Sequence, residues 1–221
     1  MSESILFPRM DLSGVSGVLI DIDNTLYAYE PAHLIALKKC HDTFSNADME
    51  TLSWDEFSTR YRDKRTAVTK NLSPQGACRS RLFAFQALFE EMKAPQAYNE
   101  ALKYERIYWE SLIGAMTVNE SALAFLKLCR EQSIKVCAVS DMQAHFQIQK
   151  LQKLSVDHLI DYLVTSEEVG KEKPAPEIFE AALRKLGMTV ADVIMIGDSV
   201  SKDIKGAESL GIKAYKVEIE T

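Results

Sequence analysis

The chain has 221 residues, of which 47% are hydrophobic and 26% charged, the composition of an ordinary globular protein with room for one sizeable core or a core plus an insertion. A net charge of -6 argues against general nucleic-acid binding, which depends on neutralising phosphates with Lys and Arg. No apolar run approaches the roughly 20 residues that would span a bilayer, so no membrane partner is expected.

Taken in chain order, the opening "MSESILFPRM" has neither the basic start nor the apolar length of a secretory signal. The four cysteines, Cys40, Cys78, Cys129 and Cys137, form no CxxC pair and no zinc-like spacing. Reduced thiols that fill the core of a cytoplasmic protein are the expectation. The first element is "GVLIDID", 17–23, where Val18, Leu19 and Ile20 form a short apolar run that ends on Asp21 and Asp23, with Thr25 close behind. Burying carboxylates without partners is costly, so a cation, a proton or a substrate is expected there.

Residues 28–112 read as helix throughout, in "PAHLIALKKCHDTF", "WDEFSTRYRDKRTAV", "RSRLFAFQALFEEM" and "NEALKYERIYWESL". Roughly four helices after a single strand predict a separate helical lobe over 28–112, with a discontinuous core domain made of 1–27 and 113–221. "ESALAFLKLCREQ" predicts a helix with Leu123, Leu126 and Leu128 on its apolar side. "IKVCAVSD", 134–141, predicts a strand ending at Ser140, and "DYLVTS", 161–166, another. "PEIFEAALRKLG" starts with proline and stops at Gly187, as a helix does. "DVIMIGDS", 192–199, is a strand ending at Gly197 and Asp198; "SKDIKGAESLG" is a weaker helix pattern, and "IKAYKV", 212–217, a last strand. Near-continuous apolar runs suit parallel strands buried on both faces, and their alternation with helices predicts an α/β sheet of right-handed crossovers.

"DxDxT" alone is also a turn with a helix cap. A calcium loop fails, because Leu26 stands where glycine is needed and Ala32 where glutamate is needed. No Walker sequence or GxGxxG is present. The strand ends taken together say more. In an open parallel sheet, ligands bind beyond the carboxyl ends of the strands, where strand order reverses. Asp21, Asp23, Thr25, Ser140 and Asp198 all sit at such ends, and Lys173 in "KEKPAPEIF" lies where it can reach them. Carboxylates, hydroxyls and one ammonium suit a divalent hard cation and a phosphoryl group.

In these residues the chain resembles the haloacid dehalogenase-like hydrolase superfamily. Four motifs match in order: "DIDNT" at 21–25, Ser140 in "AVSD", Lys173 in "KEKP", and "GDSVSKD" at 197–203. Only the first dozen or so residues fall outside the resemblance. It implies a Rossmann-like parallel sheet with helices on both faces, and an inserted all-helical cap of the C1 type. It further implies that Asp21 attacks phosphorus to form an aspartyl-phosphate and that Asp23 acts as general acid and then base. Mg²⁺ would bind Asp21, the backbone carbonyl of Asp23, and Asp198, while Thr25, Ser140 and Lys173 hold phosphoryl oxygens. Asp203 either reaches the metal through water, orients Lys173, or favours a helix N-terminus.

Asp141 departs from the family's usual Asn; its carboxylate would repel phosphate unless it caps the helix beginning near Gln143. An acid at position 23 favours phosphate esters over haloacids or phosphonates. The implied activity is hydrolysis of a small phosphorylated metabolite: a sugar phosphate, a nucleotide monophosphate or another organic phosphate. A sugar phosphomutase with the same dyad, or a silent phosphometabolite-binding member, are the alternatives.

Within the helical lobe, residues 59–82 carry Arg60, Arg62, Lys64, Arg65, Lys70, Arg79 and Arg81 against only Asp63. Attraction of an anionic substrate and a solvated helix face are equally good readings of that excess. "NLSPQGAC", 71–78, interrupts the helices with Pro74 and Gly76. His33, His41, His145 and His158 have no metal-like spacing. Trp54, Trp109, Phe83, Phe85 and Phe89 are expected in the lobe's core.

Overall fold

The computed structural model describes residue 10 and residues 12–45 and 52–219. Residues 1–9 of the opening decapeptide lie outside this range. The chain divides into two compact units, Met1–Tyr29 with Met116–Thr221, and Glu30–Ala115.

The first unit is an α/β sheet domain. Its five strands, β1 (Gly17–Ile20), β2 (Lys135–Ser140), β3 (Tyr162–Thr165), β4 (Val193–Gly197) and β5 (Lys213–Lys216), are all parallel in the order β3-β2-β1-β4-β5. β1 is central, pairing Ile20 with Ala138 of β2 and with Ile196 of β4. The chain builds outward to β3 and then returns to the other side of β1, so strand order reverses between β1 and β4, where open α/β sheets bind ligands.

Leu19, Cys137, Val139 and Met195 point to one face and pack on Ile178, Phe179 and Ala182. Their neighbours Val18, Ile20, Val136 and Ala138 point to the other face and are buried as completely. Coverage on both faces is why these strands read as unbroken apolar runs.

Nine α-helices among the described residues, two of them single turns, serve as landmarks. The helical unit contains α1 (Tyr29–Ser45), α2 (Trp54–Leu72), α3 (Arg81–Glu91) and α4 (Ala97–Ala115); α4 continues three residues past the division expected at 112. The sheet unit contains α5 (Glu120–Glu131), α6 (Ala144–Lys153), a single turn α7 (Ser166–Val169), α8 (Pro176–Leu186) and a single turn α9 (Lys205–Glu208). α5 turns a different face inward than expected: Ala122, Phe125, Leu126 and Cys129 are buried at i, i+3, i+4, i+7 spacing, while Leu123 and Leu128 are half-buried. The stretch "SKDIKGAESLG" is not one helix but a π-helical turn, Val200–Ile204, followed by α9. Gly206 lies inside it because a Cβ there would sit 2.8 Å from the Phe179 ring.

α2 opens with a capping box, in which Ser53 Oγ accepts from the Glu56 N–H and the Glu56 carboxylate accepts from the Ser53 N–H. The helical unit closes around aromatic rings: Phe44, Phe57, Tyr61, Phe85, Phe89, Tyr104 and Tyr108 are all buried. Phe85 lies 4.8 Å from Tyr61, and Phe89 4.8 Å from Tyr104, between ring centroids. Phe83, expected in this core, is instead 41% exposed, because it points off the face that carries Phe85 and Phe89. Of the basic stretch, Arg81 is buried with its guanidinium over the Tyr108 and Trp109 rings, at 5.4 and 5.6 Å. Lys64 pairs with Glu91. Arg62 and Arg65 line a cavity of about 300 Å³ together with His33, Trp54 and Tyr61.

All four cysteines are buried, and none is in a disulfide among the described residues. His33 Nδ1 and His41 Nε2 make hydrogen bonds with Tyr108 Oη (2.8 Å) and the Leu52 carbonyl (2.9 Å), and His145 and His158 lie at the surface. Among the described residues no single helix is long and apolar enough to cross a membrane.

Candidate active site

Asp21 is the first residue beyond β1, and its N–H still donates to the Ile196 carbonyl of β4, 2.9 Å away. That bond fixes its backbone between the two strands where the sheet order reverses. The chain then turns sharply, with the Leu26 N–H on the Ile22 carbonyl (2.9 Å). Asn24 takes the left-handed conformation, φ +59°, which its short polar side chain tolerates, and its Oδ1 accepts the Tyr29 N–H at 2.9 Å. The turn brings Thr25 Oγ1 to within 3.1 Å of Asp21 Oδ2, and both side chains are buried.

Lys173 reaches the same carboxylate from the loop before α8. Its Nζ lies 2.6 Å from Asp21 Oδ1, 2.7 Å from Asp203 Oδ1 and 2.9 Å from the Val139 carbonyl near the end of β2. Asp203 comes from the π-helical turn after β4 and accepts the Ser199 N–H at 3.0 Å. It packs so closely on the end of β4 that a Cβ at Gly197 would lie 2.4 Å from its carboxylate. Asp203 thus contacts Lys173 directly from the turn that follows β4.

Asp21, Asp198 and Asp203 each present a carboxylate oxygen, all within 4.8 Å of one another. Hard oxygen donors so placed can hold a divalent cation. Electrostatics points the same way. Burial, helped by the charges of Asp203 and Asp23 and opposed by Lys173, pushes the Asp21 carboxyl up to about 8. Burial and Asp203 also raise Asp198, against Lys173 and a hydrogen bond from Asn24. Lys173 is driven above its ordinary range, its burial outweighed by Asp21, Asp203 and Asp141. Three carboxyl groups around one ammonium leave an excess of negative charge that a cation relieves.

Asp141 does not cap α6. That helix begins at Ala144, whose N–H donates to Glu167 Oε2 at 2.9 Å. Asp141 instead accepts the Lys173 N–H (2.7 Å) and the Lys202 ammonium (2.7 Å). Lys202 also lies 3.4 Å from Glu172, so the carboxylate that replaces the usual Asn is neutralised by a neighbour and helps hold the Lys173 backbone.

Asp23 and Ser140 are linked to each other through α6. Gln147 Nε2 donates to Ser140 Oγ at 2.5 Å and to Asp23 Oδ2 at 3.1 Å. Lys150 Nζ lies 2.6 Å from Asp23 Oδ1, which also accepts from Tyr27 Oη. Burial works to raise the Asp23 carboxyl, yet the Lys150 charge and the hydrogen bonds from Lys150, Tyr27 and Gln147 prevail and hold it below the ordinary carboxylate range. Tyr27, Gln147, Lys150 and Lys202 were not among the residues singled out in the sequence. The available signal was Gln147 and Lys150 at i, i+3 on the α6 face that also buries Leu151.

Comparisons with known proteins place the chain in a family. Residues 15–211 match the model of the haloacid dehalogenase-like hydrolases. The ribulose-1,5-bisphosphate 5-phosphatase of Halopiger xanaduensis is 28% identical over 90% of this chain and 82% of its own length. The glyceraldehyde 3-phosphate phosphatase of Methanopyrus kandleri is 28% identical over 92% of this chain and 84% of its own. The crystal structure of a phosphatase of the family from Thermococcus onnurineus shares the fold, with a TM-score of 0.64 at 24% identity, over 90% of this chain and 85% of that one. The chain therefore belongs to the haloacid dehalogenase-like hydrolase family, and the curated relatives it resembles along most of its length are phosphatases.

Proposed function

We propose that the chain is a Mg²⁺-dependent phosphomonoester hydrolase that acts on a small phosphorylated metabolite in the cytoplasm. One observation carries the reading: a buried carboxylate, Asp21, sits between β1 and β4 with one oxygen bonded to Lys173, the other to Thr25, and two further carboxylates within 4.8 Å. The reading is that Asp21 Oδ attacks phosphorus in line while the bond from phosphorus to the ester oxygen breaks. Asp23, whose protonated form the charge of the bound anionic ester favours, gives its proton to that leaving oxygen. In the second half, Asp23 takes a proton from water as the water oxygen attacks phosphorus. The bond to Asp21 breaks, and inorganic phosphate leaves with both aspartates restored. Lys173, Thr25 and Ser140 hold the three phosphoryl oxygens that carry charge in transit.

Asp21, Asp198 and Asp203 fit a magnesium ion by donor type, by spacing and by their unbalanced charge, with the Asp23 carbonyl as a further ligand. When bound, the ion supplies charge that lets an anionic nucleophile meet an anionic ester. The assignment of Asp23 to proton transfer is supported by its side chain, which lies outside that carboxylate group and turns to α6 instead. The helical unit is assigned as a C1-type cap from its position in the chain between the first two motifs. Ribulose-1,5-bisphosphate and glyceraldehyde 3-phosphate, the substrates named for two relatives, are both small phosphorylated metabolites, which supports that class here.

A panel of phosphorylated metabolites, assayed for inorganic phosphate with and without Mg²⁺, tests the proposal. Release that is lost on chelation and in Asp21→Asn is expected. Turnover that survives either change overturns it, and an isomeric sugar phosphate in place of inorganic phosphate would identify a phosphomutase.

A further inference from the structure

A lysine that is 1% exposed is rare, because an ammonium taken out of water needs a partner to hold it. Lys150 is such a residue, and its partner is Asp23, at 2.6 Å. Its ammonium also lies 5.6 Å from the centre of the Tyr27 ring, whose hydroxyl donates to the same carboxylate oxygen. One turn earlier on α6, fully buried Gln147 takes the other oxygen of Asp23 and, with the same nitrogen, Ser140 Oγ. Asp23 itself keeps 30% of its side chain accessible. Three donors therefore grip it from one side, and the remainder of the carboxylate is left accessible.

We propose that Gln147 and Lys150 form a positioning clamp on the acid/base residue: α6 fixes the rotamer of Asp23 and ties it, through Gln147, to the phosphoryl-binding hydroxyl of Ser140. The proposal rests on the reading of Asp23 as the residue that moves the proton. A carboxyl group that must reach first a leaving oxygen and then a water works only within hydrogen-bond distance of both. A free aspartate side chain at a strand end samples several rotamers. Two buried donors from one rigid helix remove that freedom, and their three-residue spacing puts both on the same side of α6. The link to Ser140 sets the distance between the proton donor and the phosphoryl group, which fixes where the leaving oxygen is met.

The test uses two substrates that differ in their need for a proton: an alkyl phosphate turned over by the wild-type enzyme, and p-nitrophenyl phosphate, whose leaving group departs as the anion. Lys150→Met is expected to lower kcat/KM for the alkyl phosphate about 10²-fold and for p-nitrophenyl phosphate less than about 5-fold, the size of a general-acid contribution. Because hydrolysis of the intermediate still needs Asp23 as base, kcat for p-nitrophenyl phosphate should fall and a burst of p-nitrophenol should appear. Gln147→Leu, close in volume, should shift the same ratio about 10-fold, and it carries the test should Lys150→Met fail to fold. Equal losses on both substrates, or none, in the folded variants overturn the clamp and leave the hydrolase reading standing. Absence of Mg²⁺-dependent turnover by the wild-type chain overturns the hydrolase reading, and the clamp with it.

Discussion

The two units hold together with different side chains. The sheet unit is aliphatic: Val18, Leu19, Ile20, Val139, Ile194 and Ile196 lie buried along paired strands. The helical unit is aromatic, with Tyr61, Phe85, Phe89, Tyr104 and Tyr108 linked by ring contacts and Phe57 joined to them through Phe44. Strand pairing moves in steps of one residue, and a slip turns every side chain to the opposite face. A strand end in such a sheet is thus a fixed address, and Asp21 and Asp198 occupy two of them. Rings packed between helices set no such register; they supply bulk and leave the outer faces free to vary. The candidate site is in the unit whose packing determines position most strictly.

Asp21→Asn should separate these two aspects most sharply. Turnover is expected to fall by at least about 10³-fold, since the substitution removes the proposed nucleophile. Stability should not fall with it, because a neutral group replaces a carboxylate that burial and its neighbours disfavour. In the metal-free protein the folded state holds the Asp21 proton up to about pH 8, whereas the unfolded chain releases it near 3.8. Folded molecules bind more protons in that window, so the Asp21 contribution is present at low pH and is lost as pH rises from about 4 to about 8. Chemical denaturation in chelator across that range checks it, and the Asn variant should flatten the slope. Saturating Mg²⁺, which favours the ionised form, should flatten it too.

The converse experiment breaks the aromatic unit. Phe85 touches Tyr61, Phe89, Tyr104 and Tyr108, with centroid distances from 4.8 to 6.4 Å. Phe85→Ala should cost about 3–5 kcal/mol. Both tryptophans, Trp54 and Trp109, lie in Glu30–Ala115, so tryptophan fluorescence follows that unit while far-ultraviolet circular dichroism follows both. The fluorescence midpoint should move to lower denaturant ahead of the dichroism midpoint. Coincident transitions would show that the two units unfold as one.

Gly197→Ala is a smaller perturbation placed at the site itself. The new methyl must displace the Asp203 carboxylate, 2.4 Å away, and with it the partner of Lys173. A loss of about 1–3 kcal/mol is expected from overpacking. Catalysis should fall further than stability, by about 10²-fold, because a displaced ammonium no longer meets the phosphoryl oxygens. Activity measured well below the melting temperature separates the two effects.

The sequence is most legible where one physical rule acts alone. Val18, Leu19 and Ile20 must be a doubly buried strand, and Pro176 and Gly187 bracket a helix, because no competing pattern fits. Residues at the ends of such elements inherit their positions, so Asp21 and Asp198 could be placed near one another without coordinates. Gln147 and Lys150 could not. A buried polar pair reads as solvent-facing in any hydrophobic pattern, and its burial is explained by contacts with Asp23, 124 and 127 residues away in sequence. The same holds for Lys202, which offsets Asp141 from 61 residues away. The π-helical turn, Val200–Ile204, also departs from the expected helix; it carries Asp203 against the end of β4.

The smallest effect has the opposite sign from that of Asp21 and belongs to the other unit. His33 in α1 is held down to about 4 by burial first, and then by the charges of Arg81 and Arg65. In the unfolded chain it protonates near 6.5, so as pH falls below that value the unfolded state binds the proton first. The stability His33 contributes is complete above pH 6.5 and is lost as pH falls towards 4. A loss of about 1–2 kcal/mol by pH 5 is expected, for a ring that is only partly shielded from water. Denaturation followed by tryptophan fluorescence at pH 7.5 and pH 5 measures it, and His33→Gln should remove the difference. Acid should thus weaken the helical unit while it relieves the carboxylates of the sheet unit. A common pH response in fluorescence and circular dichroism would mean that neither group acts locally and that the two cores titrate as a single body.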